Sequence, residues 1–173
     1  MIGDRRAFFR QGLNDLYVPL YERLCQLLGP EWKPYSGFRT PENQDKTFAI
    51  GRMQASDGSW TVIDEGKIRT DAMGGESPHN YGCATDWTYF EGENHDHLVW
   101  LERDDPRWKE FGEAVKLAKL RWGGEFRRRD VGHNELHIAI SWSDIRKEFL
   151  TGGRGAANAA IYAAMIGPNG AAP

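Results

Sequence analysis

Cysteine is nearly absent: Cys25 and Cys83 are the only two among 173 residues. Two cysteines exclude a disulfide framework, and they exclude a zinc site built from thiolates alone. Long apolar runs are missing too. No stretch of about 18 apolar residues occurs, so nothing reads as a membrane span. Positive charge is not in excess either. Lys and Arg number 22 against 25 Asp and Glu, for a formal net charge of -3. Nucleic-acid binders are usually basic, so this balance argues against bulk nucleic-acid binding. The N-terminus, Met-Ile-Gly-Asp-Arg-Arg-Ala-Phe-Phe-Arg, has basic residues but no apolar core after them. It does not read as a secretory signal. The expectation is a protein that accumulates in the cytoplasm where it is made, and that needs another agent to release it if its target lies outside.

What is present suits one soluble globular unit. Hydrophobic residues make up 40% and charged residues 27%. At roughly 150 residues per domain, the length predicts one domain and a short tail. Composition shifts after Leu150, where residues 151–173 become rich in Gly and Ala. The expected boundaries are therefore a body over 1–150 and a tail over 151–173. Within the tail, Ala156 to Ile166 can form a short helix that docks through Ile161, Met165 and Tyr162; a partly ordered tail is the alternative.

Periodicity gives a coarse map. Apolar residues at helical spacing predict a helix over Asp4–Leu28, kinked at Pro19 and ended by Gly29-Pro30. A strand is expected over 35–39, a helix from Pro41, and a strand over 60–63. Cys83–Phe90 alternates and is rich in aromatic and β-branched types, which predicts a central strand. Residues 91–105 read as a solvated acidic loop. Asp105-Pro106 begins a helix with Trp108, Phe111, Val115 and Ala118 on its apolar side. Short strands follow at Leu120–Trp122 and His133–Ile140, and Ser143 is expected to cap a last helix to Leu150. This order predicts an α+β fold with a small central antiparallel sheet and flanking helices.

The five histidines, His79, His95, His97, His133 and His137, hold most of the nitrogen ligands available for metal chemistry. In Ser77-Pro78-His79-Asn80-Tyr81-Gly82-Cys83-Ala84-Thr85-Asp86, a His and an Asp seven apart can meet at one metal if the chain turns at Gly82. A bare pair of this kind is more often a loop His and a hydrogen-bonded Asp. In Asp130-Val131-Gly132-His133-Asn134-Glu135-Leu136-His137, the residues His133, Glu135 and His137 would share one strand face. The helical His-Glu-x-x-His signature is absent. On a helix, His133 and His137 would both chelate; on a strand, one of them is the ligand. His95 and His97 flank Asp96 in the acidic loop and read as solvated. Cys83 reads as a small core residue turned away from Asp86. Arg127-Arg128-Arg129 either attracts an anionic polymer or is a solvated loop.

The first segment matches Ser-x-His-x-x-Gly-x-Ala-x-Asp at Ser77, His79, Gly82, Ala84 and Asp86. It resembles the zinc peptidases that cleave peptidoglycan stem peptides: D-Ala-D-Ala carboxypeptidases, the related dipeptidases, and L-alanyl-D-glutamate endopeptidases. Asp130-Val131-Gly132-His133 resembles the second motif of that family, an acidic residue three before the last zinc histidine. Tyr35-Ser36-Gly37-Phe38-Arg39-Thr40 with Gln44 resembles its Arg strand, and Trp122-Gly123-Gly124 a turn before the second motif. The resemblance implies a hedgehog/D-Ala-D-Ala-peptidase-like fold and one zinc per chain, held by His79, Asp86 and His133. It implies Asp130 as general base and Arg39 as the group that binds a carboxylate or steadies an oxyanion. Ser77, Gln44 and His137 join Arg39 as expected substrate contacts. Glu135 is either an orienting carboxylate behind a ligand or a surface ion-paired residue.

The ending Gly132-His133-Asn134-Glu135-Leu136 resembles phage L-alanyl-D-glutamate endopeptidases most. The resemblance implies a monomeric endolysin that waits in the host cytoplasm, is released by a separate holin, and acts on peptidoglycan in the periplasm. A D-Ala-D-Ala carboxypeptidase and a non-catalytic wall-binding module are the alternatives.

Overall fold

The computed structural model describes residues 5–166. Its centre is an antiparallel sheet in the order β1-β4-β7-β6, with β5 added to the far end of β4. The strands are β1 (Trp32–Ser36), β4 (Ala84–Glu91), β5 (His97–Val99), β6 (Arg121–Trp122) and β7 (His133–Glu135). A separate hairpin joins β2 (Arg52–Gln54) to β3 (Trp60–Val62). The α+β class and small antiparallel sheet expected from the sequence are what the chain adopts.

β4 organises the sheet because its alternation divides it into two faces. Thr85 and Trp87 point to a face covered by the helices α2 (Val18–Leu27) and α4 (Arg107–Leu117). There Trp32, Trp87, Trp108 and Phe111 form an aromatic core, with Trp32 centred 5.1 Å from Phe111 and 5.2 Å from Trp108. Trp87 and Trp32 are fully buried. Asp86 points to the other face.

Several elements differ from expectation for identifiable reasons. The first helical stretch is two helices, α1 (Arg5–Arg10) and α2, and Pro19 sits in the first turn of α2 rather than at a kink. Proline is favoured there because that N–H has no helical partner. The Arg6 guanidinium donates to the carbonyls of Cys25, Leu28, Gly29 and Trp32, closing the end of α2. β1 begins at Trp32, three residues early, because Trp32 belongs to the core. β5 lies inside the acidic loop and forms by pairing Leu98 and Val99 with Phe90 and Tyr89. β7 stops at Glu135, so Ile138–Ile140 are not strand. β2 had no alternating pattern to announce it.

The helix α3 (Pro41–Ala49) starts on Thr40, whose side chain accepts from the Asn43 N–H. The last helix, α5 (Trp142–Ile166), is capped by Ser141, whose hydroxyl accepts from the Asp144 N–H, and not by Ser143. It runs straight through the composition change and bends at Gly153, which has φ 69. Beyond the bend, Ala157 and Ile161 are fully buried and Met165 packs on the core, whereas Tyr162 is exposed. Residues 167–173 of the expected tail lie outside the described residues.

Candidate active site

The segment from Ser77 to Asp86 is one capped turn feeding a strand. The Ser77 hydroxyl accepts from the His79 N–H at 3.3 Å, and Asn80 reaches back to the Ser77 N–H at 3.3 Å. This capping box starts a single 3-10 turn, Pro78–Tyr81. Gly82 ends it in the left-handed region, φ 69, where a side chain is strained. A Cβ there would also meet the Gly12 carbonyl oxygen at 2.6 Å. The chain then enters β4, and Asp86 comes up beside His79.

β7 supplies the third group. Asp86 pairs with His133 across the ladder, so their side chains share a face. The two sites meet closely. His79 Nε2 lies 3.3 Å from Asp86 Oδ1, and His133 Nδ1 lies 2.9 Å from the same oxygen. One ligand atom from each of the three lies within 4.8 Å of the others, the one such group among the described residues. All three residues are buried.

The outer nitrogens are already committed. His79 Nδ1 donates to the Gly37 carbonyl at 2.7 Å. His133 Nε2 faces Glu135 Oε2 at 3.1 Å, and Glu135 also accepts from Arg121 at 3.1 Å. The inner atoms, His79 Nε2, Asp86 Oδ1 and His133 Nδ1, are therefore the ones free to hold a metal. Donors about 2.0–2.1 Å from a tetrahedral ion are about 3.3 Å apart, and a set of two nitrogens and one oxygen suits zinc. The chemistry and spacing of this donor set fit that ion.

The charges here are strongly coupled. Burial alone would raise the Asp86 carboxyl, but the charge and hydrogen bonds of His79 and His133 hold it well below the usual carboxylate range. Burial alone would lower His133; its bonds to Asp86 and Glu135 push it up to about 10 instead. Glu135 is lowered, its desolvation outweighed by His133 and Arg121.

Asp130 sits on the turn before β7. Its backbone N–H donates to the Gly123 carbonyl at 2.9 Å, and its carbonyl accepts from the His133 N–H at 3.1 Å. Gly123 lies so close that a Cβ would meet the Asp130 carbonyl oxygen at 2.4 Å. Asp130 reaches solvent, yet its carboxyl is raised, first by desolvation and then by the charge of Asp86, while His133, His79 and Arg103 oppose. It stands beside the three donors without joining them.

Arg39 lies beyond β1, in the loop before α3, not on a strand. Its guanidinium donates to Gln44 at 2.8 Å and Ser36 at 3.0 Å, and stands 3.8 Å from Asp86 Oδ2. Gln44 is fully buried and spends its amide on Thr70 and Ala72. Its side-chain oxygen reaches Arg39, and Gln44 holds that guanidinium from behind. Ser77 is likewise buried and occupied as a cap. His137 lies past the end of β7 and is exposed, apart from the cluster.

Asn80 is the residue sequence reasoning missed. It accepts from Gly75 and Ser77 and donates to the Arg39 carbonyl at 2.9 Å, tying three segments together. Its place three after a Ser cap was the available signal. Cys83 is fully buried, which pushes its thiol up to about 12 and leaves it inert. Of the arginine run, Arg128 pairs with Asp71 at 2.6 Å, and all three members are exposed.

Residues 70–136 match the family model described as D-alanyl-D-alanine carboxypeptidase. That segment holds His79, Asp86, Asp130, His133 and Glu135 but not Arg39. The chain is 33% identical over 107 residues to the peptidoglycan L-alanyl-D-glutamate endopeptidase CwlK of Bacillus subtilis (strain 168). The match covers 58% of this chain and 57% of CwlK, so the chain spans little more than half the length of that relative. The crystal structure of the Serratia marcescens L-Ala D-Glu endopeptidase ChiX superposes with a TM-score of 0.52 at 18% identity. It covers 77% of this chain and 86% of ChiX, which shows a shared fold.

Proposed function

We propose, for a chain that belongs to the family of D-Ala-D-Ala carboxypeptidases and L-alanyl-D-glutamate endopeptidases, that it is a zinc peptidase of peptidoglycan stem peptides and cuts the L-Ala-D-Glu bond. The observation that carries the reading is the buried trio of His79 Nε2, Asp86 Oδ1 and His133 Nδ1, with both outer imidazole nitrogens already held. The choice of bond rests on the likeness to CwlK.

His79, Asp86 and His133 would hold zinc, which supplies Lewis-acid polarisation of a carbonyl and a lowered pKa for water. Asp130 takes a proton from the attacking water and passes it to the leaving amine. Arg39, fixed by Gln44 and Ser36, binds a substrate carboxylate or the developing oxyanion. Glu135 holds the His133 tautomer that turns Nδ1 inward.

Digestion of purified peptidoglycan with end-group analysis tests the bond. New D-Glu amino termini are expected. Free D-Ala would instead support the carboxypeptidase reading, which the family model's description favours. Binding without either product would support a wall-binding module. Metal analysis should find about one zinc per chain, and a chelator should abolish hydrolysis.

The Gly132–Leu136 ending also supports a lytic role, as a phage endolysin released to the wall by a separate holin. Cytoplasmic expression should leave cells intact until a holin is co-expressed; lysis without one overturns that role.

A further inference from the structure

Trp100 is the one exposed tryptophan of seven, with 65% of its surface accessible. It follows β5 and packs edge-on against Tyr35, ring centroids 5.0 Å apart at 81°. Tyr35 is itself out of step with the sheet. Pro34 pairs with Trp87 and Ser36 with Asp86, so two steps along β1 match one along β4. Tyr35 is the extra residue of a β-bulge, the device by which a strand re-aims a side chain beside a site. Its neighbour Ser36 pairs with Asp86 and accepts from the Arg39 guanidinium at 3.0 Å, so the bulge that carries the Tyr35 hydroxyl borders the cleft. That hydroxyl has no hydrogen-bond partner among the described residues. A single aromatic ring thus separates the exposed indole from the level of Asp86.

The proposed bond has a chemical neighbour of matching character. The alanine before it is attached through a lactyl group to an N-acetylated amino sugar of the glycan. One residue and that linker span about 7 Å, since an extended residue covers at most about 3.5 Å. A sugar offers a C–H face to an indole plane and hydroxyl and amide groups to a phenol, the mixed character that Trp and Tyr serve at binding surfaces. At the far D-Ala end of the stem peptide no sugar is near.

We infer that Trp100, braced by Tyr35, forms a subsite for the N-acetylmuramyl sugar that carries the stem peptide. The inference rests on the proposed cut at L-Ala-D-Glu.

Zinc-loaded full-length enzyme would be assayed on an N-acetylmuramyl stem peptide and on the same peptide N-acetylated in place of the sugar. Trp100→Ala should lower kcat/KM on the sugar-bearing substrate about tenfold, mainly through KM, and stay within about twofold on the plain peptide. Trp100→Phe should recover most of the loss. An equal loss on both substrates, or no loss on the first, overturns the subsite. A second measurement avoids cutting altogether. The indole N–H resonance of Trp100, identified by its absence in Trp100→Phe, should shift on titration with N-acetylmuramyl-L-alanine, which lacks the scissile bond. It should not shift with N-acetyl-L-alanine. No shift with the sugar overturns the subsite even if the bond assignment stands, and release of D-Ala alone in the digestion overturns the bond assignment even if the shift is seen.

Discussion

Asp86, His133 and Glu135 lie on one face of the β4–β7 ladder; Thr85, Trp87 and Asn134 lie on the other. Both faces bury polar atoms, and alternate residues of the same short strands build them. On the back, the Tyr17 hydroxyl bonds to Thr85 and Asn134, Trp87 Nε1 donates to Thr85 at 2.9 Å, and the Asn134 amide donates to the Thr85 carbonyl at 3.0 Å. Every member is neutral, burial holding the Tyr17 proton in place. The front gathers two buried carboxylates around two imidazoles. Arg121 answers Glu135, while Arg39 stands off at 3.8 Å. A proton on the imidazoles or a bound cation balances what remains. Polar burial is thus common to both faces, and unbalanced charge distinguishes the front.

Four substitutions put this contrast to the test. Asp86→Ala should remove bound zinc, from about one per chain to near none by elemental analysis, and reduce hydrolysis to background. Retained metal would mean the front face is not the metal site. Asp130→Asn should keep zinc and fold but cut kcat about 10²- to 10⁴-fold; unchanged turnover would dismiss Asp130 as the base. Glu135→Gln leaves both imidazoles in place and should weaken zinc about 10- to 100-fold in a competition titration. Asn134→Ala strikes the back face. It leaves the Tyr17 hydroxyl short of a partner and should cost about 1–3 kcal/mol in denaturant unfolding, with zinc stoichiometry unchanged. Loss of zinc from that variant would show that the two faces are not independent.

Local physics explains how His79 and Asp86 meet: a Ser cap, a Pro, a left-handed Gly and then a strand; His133 as their partner rests on the family resemblance, not on spacing. β4 and α4 were legible because their patterns are strong and their partners predictable. The misses share a different cause. β5 holds only three residues in an acidic stretch, and it exists because the edge of β4 accepts Leu98 and Val99. Ser77 and Gln44 were expected to touch substrate, but sequence carries no direction for a side chain. One turned out to cap a turn and the other to brace Arg39 from behind. His137 was separated from the cluster by the early end of β7. Tyr35 owes its position to a bulge, which no periodicity announces.

The bend of α5 at Gly153 sets where this molecule can be cut and rejoined. Composition invites a boundary at Leu150, yet the second half of that helix folds back to seat Ala157 and Ile161 in the core, and Asn158 accepts a hydrogen bond from Asn14 at 3.1 Å. A fusion partner spliced in at 151 would take the place of interior packing, not of a spare end. An engineer who wants to append a targeting module should therefore leave the whole of α5, through Ile166, in place.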